Sequence, residues 1–205
     1  MRGRSDRCAA WNPRRQGEVD GSVCHMGENL GAALSTPRLR LRAPTAADAA
    51  FVRDMYSRSE VTQYIGAHDW VETTHQQALT RIERYRAQFG PASGVWLVEA
   101  NDGAPVGFAL LKAIPFSAQA TPETGEQDTE IGWHLHPDSW GSGFAAEAAQ
   151  ALIRHARRQG LTVLVAVMHR NNVASQAVAR RAGMSYVGTT SRYYDATCEL
   201  FTFAL

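Results

Sequence analysis

Regular alternation of apolar and polar positions begins at Ser35. Arg38-Leu39-Arg40-Leu41-Arg42 alternates with a period of two, which predicts a half-exposed strand. Thr45 followed by Asp48 has the pattern of a capping box and opens a predicted helix to about Tyr56. Thr73 with Gln76 predicts a second box. Behind it Ala78, Ile82, Tyr85 and Phe89 fall on one helical face, and Gly90-Pro91 stops that helix. Val95 to Ala100 and Val106 to Ile114 read as strands joined through the hairpin turn Asn101-Asp102-Gly103. Pro115 to Asp128 is a polar loop, and Thr129 to His136 is a strand ended by Pro137. Gly143 to Gln159 is an Ala-rich helix with a Gly160 stop. Leu161 to Met168 is a continuous apolar run of buried-strand type. Asn172 to Ala182 is a helix ended by Gly183, followed by strand-like stretches at Tyr186 to Ser191 and Glu199 to Leu205. The order β-α-α-β-β-β-α-β-α-β-β predicts an α/β domain on a mixed sheet, residues 35–205.

Residues 1–34 lack either periodicity and are rich in Gly, Arg and small polar residues, so they are expected to form a poorly structured tail outside the core. Met26 is a second candidate start within it. The 205 residues suit one domain plus such a tail, and 44% hydrophobic with 20% charged residues is ordinary globular composition. Lys+Arg is 21 against Asp+Glu 20, a formal charge of +1. That balance argues against binding duplex nucleic acid or a polybasic attachment to membranes. The longest strongly apolar run falls far short of the ~20 residues of a spanning helix. No apolar segment follows the basic N-terminus, so no secretory signal is expected. Cys8, Cys24 and Cys198 are spaced unlike a metal site and read as free thiols, consistent with a cytoplasmic protein without a metal.

The sharpest chemistry lies between a strand and a helix, in Trp140-Gly141-Ser142-Gly143-Phe144-Ala145. Two glycines let the backbone approach a ligand and turn successive N–H groups inward. The helix that follows offers unpaired N–H groups and its positive dipole end to an anion, such as a diphosphate. The spacing is neither Walker A nor the dinucleotide fingerprint, and a glycine turn into a core helix is the bland alternative.

This block resembles the acyl-CoA motif of the GNAT superfamily of N-acyltransferases, Gln/Arg-x-x-Gly-x-Gly/Ala, with Trp140 in the first place as in the Rim-type, ribosomal-protein N-terminal acetyltransferase-like branch. Thr36-Pro37-Arg38-Leu39-Arg40-Leu41-Arg42 resembles that branch's opening strand. Asn172-Val173-Ala174-Ser175 through Gly183-Met184 resembles its Asn-x-Ala-Ser…Gly-Phe helix, with Met184 for the aromatic. The resemblance covers about Ser35 to Leu205. It implies a mixed, mostly antiparallel central sheet flanked by helices, with a splayed strand pair holding acyl-CoA, acetyl-CoA being the expected donor and succinyl-CoA another. It also implies main-chain contacts to the pantetheine arm at Trp133 and Leu135, a pyrophosphate on the N–H groups of Gly141, Ser142, Gly143, Phe144 and Ala145 with Trp140 in the same cofactor-binding motif, and Asn172 and Ser175 facing the thioester. Asn172 reads equally as a helix cap.

Attack of an amine on a thioester needs a proton removed from nitrogen. Glu130 stands where many members place a carboxylate base, on the strand face shared with Gly132, His134 and His136; small Gly132 would leave room for a substrate. A solvated strand-end carboxylate is the bland alternative for Glu130. His134 and His136 rank behind it as bases. The family's usual acid, a Tyr seven residues after the motif Asn, is here Ala179, which leaves Ser175 as the expected acid and Tyr193 and Tyr194 as the fallback. The acceptor is expected between Ser57 to Phe89 and the loop bearing Glu123, Glu126 and Asp128. A protein N-terminus, an aminoglycoside or a small metabolite amine would serve as acceptor. An acyl-CoA-binding regulatory or sensor domain without turnover is the alternative function, with a purely structural module third. A homodimer pairing through Glu199 to Leu205 is a further expectation.

Overall fold

The computed structural model describes residues 33–65, 71–120 and 127–205. Residues 1–32 of the expected tail, with Met26, Cys8 and Cys24, and the loop acids Glu123 and Glu126 lie outside these residues, whereas Leu34, expected in the tail, is buried in the first strand. The described chain runs β1 (Leu34–Ser35), β2 (Leu39–Arg42), α1 (Ala49–Ser57), α2 (Ser59–Thr62), α3 (His75–Arg86), β3 (Gly94–Ala100), β4 (Pro105–Ala113) and β5 (Thr129–Leu135). It continues through α4 (Phe144–Arg158), β6 (Val163–Met168), α5 (Val173–Ala182), β7 (Ser185–Thr190) and β8 (Cys198–Ala204). The strands form one sheet in the order β1-β2-β3-β4-β5-β6-β8-β7, antiparallel at every junction except β5 to β6.

Period-two patterning does its work at β2, where Leu39 and Leu41 are buried and Arg40 is exposed. Helices cover both faces. On one, the apolar sides of α4 and α5 pack on Leu41, Trp96, Ala109, Ile131 and Phe201. On the other, α1 and α3 place Val52, Met55, Tyr56, Ile82 and Tyr85 on Leu97 and Phe108. The two faces of β5 therefore look into different layers, Ile131 and Trp133 toward α4 and the alternate residues toward α1.

Several boundaries differ from expectation. The Thr45–Asp48 box is present, but it caps a 3-10 turn, Ala46–Asp48, that precedes α1. The second box pairs Thr74 with Gln77, one residue later than expected. Gln77 Oε1 reaches the N–H groups of both Thr73 and Thr74, at 3.1 and 3.0 Å, and that fixes the register. α3 ends at Arg86, so Phe89 packs edge-on against Trp96 from beyond the helix. β1 and the short α2 carry too little pattern to be read in sequence. β8 lies between β6 and β7 with both edges paired, so it cannot join a second copy by strand addition; the sheet edge there is β7.

Candidate active site

β5 and β6 share a single bridged position, Glu130 opposite Val165, and part beyond it. β6 keeps β8 as its other partner along its whole length. The opening between them is a cleft of about 1070 Å³. Glu130, Trp133, Leu135, the whole Trp140–Ala145 loop, Asn172 and Ser175 all line it. Sequence reasoning thus named residues from a strand, a loop and a second helix that the fold brings to one place.

Backbone alternation decides which main-chain groups face the opening. His136 donates its N–H to the Val106 carbonyl on β4, so the groups of His134 and Gly132 also point to β4. Those of Trp133 and Leu135 point the other way, into the cleft. Trp140 Nε1–H donates to the Leu135 carbonyl at 2.9 Å, which ties the loop back to the end of the strand and occupies that one acceptor. The Trp133 groups and the Leu135 N–H are left facing the opening.

The glycine loop has the geometry its composition predicts. Gly141 (φ +76°) and Gly143 (φ +78°) are left-handed, and Gly143 is the N-cap of α4. The first intrahelical bond is Glu147 N–H to Gly143 O, so the N–H groups ahead of it lack helical acceptors. A clamp invisible to local pattern fixes this turn. Glu147 Oε1 accepts from Thr36 Oγ1 at 2.6 Å and from Arg38 N–H at 3.0 Å, while Arg38 Nε–H donates to Oε2 at 2.6 Å. Arg38 Nη1 also donates to the Ser142 carbonyl at 3.0 Å. Burial pushes the Glu147 carboxyl up, but these partners together hold it below the ordinary glutamate range. The Thr36-Pro37-Arg38 segment thus has a physical task in the site.

Glu130 is 9% exposed, not a solvated strand-end carboxylate. Its Oε2 accepts from the Tyr194 hydroxyl and lies 3.4 Å from Lys112 Nζ, the ammonium of the chain's only lysine. Oε1 has no partner among the described residues. Burial raises the Glu130 pKa above the ordinary value, and the Lys112 charge and the Tyr194 bond oppose that rise without cancelling it. Tyr194 and Asp195 have φ of +60° and +52°, uncommon for residues with a Cβ. The turn is held by Asp195, whose Oδ1 accepts from Ala118 N–H at 2.8 Å and whose own N–H donates to Ser117 Oγ. That strain aims Tyr194 at Glu130.

The remaining candidates separate clearly. The Asn172 side chain accepts from Ser175 N–H at 3.1 Å, so its capping role is present, and both residues also face the cleft. Gly132 leaves less room than expected, because Leu110 fills the space a Cβ would take, 3.1 Å away. His136 is buried and spent on structure, with Nδ1 accepting from Asp138 N–H and Nε2 2.9 Å from Asp54. Tyr193 donates to Asp128 at 2.6 Å, with its hydroxyl pKa pushed up to about 12 by burial and that carboxylate. Tyr194 stands behind Glu130, and neither tyrosine lines the cleft, so the fallback acid assignment fails. His134 does line it, half-buried, with its pKa pushed down to about 3, chiefly by burial. Sequence reasoning missed Lys112 and the Thr36–Arg38–Glu147 clamp.

Among the described residues no helix is long and apolar enough to cross a membrane, and no cluster of three or more His, Cys, Asp or Glu is placed to hold a metal.

The fold thus defines a cleft between two parting strands, with unpaired main-chain groups on one wall and a helix start beside it. Residues 38–185 match the family model described as the acetyltransferase (GNAT) domain, so the chain belongs to the GNAT acetyltransferases. It is 29% identical over 162 residues to YoaA of Bacillus subtilis, named an uncharacterized N-acetyltransferase, covering 78% of this chain and 86% of that one. A GNAT-family acetyltransferase from Bacillus anthracis superposes with a TM-score of 0.65 at 21% identity, covering 85% of this chain and 98% of that one. RimL, a ribosomal L7/L12 α-N-protein acetyltransferase solved with coenzyme A, gives 0.65 at 19%, with the same coverage. At these identities the structural likenesses establish the fold.

Proposed function

We propose that the protein moves an acetyl group from acetyl-CoA to a primary amine by direct attack, in the manner of the Rim-type branch, with residues 35–205 as the transferase domain. The observation that carries this reading is Glu130: a buried carboxylate with one open oxygen, at the fork where β5 and β6 part and beside the anion-cradling loop. The free groups of Trp133 and Leu135 fit an amide-bearing pantetheine arm, and the N–H groups from Gly141 to Ala145 fit a pyrophosphate, with Trp140 bracing the loop. Bound acetyl-CoA supplies an activated thioester.

The chain's own residues then manage one proton. An amine with a reference pKa near ~8 arrives largely protonated, and Glu130 Oε1 accepts its proton directly or through water. The raised Glu130 pKa narrows the gap between acid and base, which favours the transfer. Lys112 keeps the carboxylate ionised enough to act. Ser175, whose hydroxyl has no partner among the described residues, is the donor to the departing thiolate; Asn172 sets the helix turn that presents it.

Thiol release from acetyl-CoA with a panel of amines, for wild type and Glu130→Gln, tests the reading. Turnover by the wild type and a loss of about 100-fold or more in the variant is expected. Tight coenzyme A binding without turnover of any amine would instead identify a sensor domain. Normal turnover by Glu130→Gln would remove the base assignment and leave the class intact.

A further inference from the structure

His134 lies on β5 four residues beyond Glu130, on the same face and in the wall of the same cleft. Its Nδ1 is 3.1 Å from the Tyr56 hydroxyl, which is 2.8 Å from the Tyr85 hydroxyl. Arg81 Nη1 donates to Tyr85 at 3.1 Å, and Arg81 Nε–H donates to Glu72. Arg81, Tyr85 and Tyr56 are buried, and the Arg81 guanidinium also lies over the Tyr56 ring, 4.2 Å from its centroid. A chain of bonds thus runs from a buried ion pair to the cleft.

The chain has a direction, set at its charged end. A guanidinium has no lone pair, so Tyr85 receives from Arg81 and must pass its own hydrogen on to Tyr56. Tyr56, having accepted, presents its hydrogen to His134 Nδ1. A neutral imidazole that accepts at Nδ1 carries its proton at Nε2. No residue among those described takes the Nε2 hydrogen. The cationic end polarises each hydroxyl toward the ring, which keeps His134 neutral and its lone pair engaged. The ring is therefore a poor base and a fixed donor.

We propose that His134 determines acceptor specificity: its Nε2–H, held in that tautomer by Arg81, Tyr85 and Tyr56, binds an oxygen that the incoming amine carries close to its nitrogen. The substrate class this selects is amines with a neighbouring carbonyl, carboxylate or hydroxyl oxygen. Alkylamines and polyamines bring nothing for the Nε2–H to bind, and a second ammonium would meet a donor where it needs an acceptor. This rests on the acyltransferase reading above, and the tests separate the two.

Long-range 1H–15N correlation spectra of the histidine rings report the tautomer in the whole protein, with His134→Gln supplying the assignment. The expected result is a neutral Nε2–H ring at His134 that persists to pH 5; an Nδ1–H ring or an imidazolium would overturn the proposal. Kinetics with glycinamide, ethanolamine, propylamine and putrescine should favour the two oxygen-bearing amines by about tenfold or more in kcat/KM, the worth of one buried hydrogen bond. His134→Ala should erase that preference through acceptor KM while calorimetric affinity for coenzyme A stays unchanged. His134→Gln, which keeps an N–H donor, should restore part of it. Tyr56→Phe keeps the packing and frees the tautomer, so it should lower the preference severalfold. A wild type that acetylates amines with no such preference, or a His134→Ala variant that retains it, overturns this proposal alone. A wild type that acetylates none of the four overturns it, and the wider amine panel above decides the acyltransferase reading separately.

Discussion

Gly107 carries no chemistry and sits outside the cleft, yet the geometry makes it one of the least replaceable residues near the site. It follows an irregularity in the β3–β4 pairing and has φ +153°. A Cβ built there would lie 2.3 Å from the His134 carbonyl oxygen and 2.7 Å from Leu135 Cα, both backbone atoms of the neighbouring strand. An ordinary carbon–oxygen approach is about 3.3 Å, so Gly107→Ala must drive β5 away by about 1 Å. The unfavourable φ costs about 1–3 kcal/mol for a residue with a side chain. The displaced strand weakens one or two ladder bonds, among them His136 N–H to Val106 O at 3.0 Å, at about 1 kcal/mol each. The expected total is about 2–5 kcal/mol. Leu135 also anchors Trp140, so coenzyme A affinity should fall with stability. Urea unfolding and calorimetry with coenzyme A measure the two effects. Gly103→Ala is the control, because Gly103 has φ +84° but nothing within 4 Å of its would-be Cβ. It should lose only about 1 kcal/mol, with binding intact. Equal losses for the two variants would refute the argument from the neighbouring backbone.

The other predictions concern charged groups. Arg42 grips both oxygens of Asp48 at 2.8 Å and Glu99 at 2.7 Å, so Arg42→Met should cost about 3 kcal/mol in denaturant unfolding. Burial pushes the Asp48 pKa up, but Arg42 and Thr45 pull it down further, to a net value below the ordinary one. Its contribution is therefore present above the unfolded-state value of about 4 and is lost as pH falls through the lower folded value, so wild type and Asp48→Asn should converge in strong acid. Turnover needs Glu130 ionised, so the acid limb of kcat should lie above the ordinary glutamate range. Lys112→Met removes the charge that favours the carboxylate and should move that limb to higher pH; an unmoved limb would exclude Glu130 as its source. Glu147→Gln loosens the Arg38 clamp and should weaken coenzyme A binding about fivefold by calorimetry, the equivalent of ~1 kcal/mol.

What could be read in the sequence was what depends on neighbours along the chain. The loop followed from two glycines ahead of an Ala-rich run, because left-handed turns and free helix N–H groups are local properties. The faces of β5 followed from alternation, and that alone put Glu130, Gly132, His134 and His136 together. The failures have the opposite character. Gly132 was expected to leave space that Leu110, on the adjacent strand, fills. Tyr194 stands in sequence only as a fallback acid behind Ser175, and a strained turn places it behind Glu130. Thr36, Arg38 and Glu147 meet across more than a hundred residues of chain, and no spacing rule joins them.

The same distinction orders the histidines. His134 and His136 are two residues apart on one strand face and were equivalent as candidate bases, yet their surroundings give them different work. His136 meets Asp54, contributed by α1, and Asp138, so both its nitrogens are committed away from the cleft. His134 meets Tyr56, two residues later on the same helix, and through it and Tyr85 the cation of α3. Alternation along β5 sets which way each ring points, and the layer of α1 and α3 beneath sets which nitrogen remains available. Acceptor chemistry in this cleft is thus written as much in Arg81 and Tyr85, which never touch the opening, as in the residues that line it.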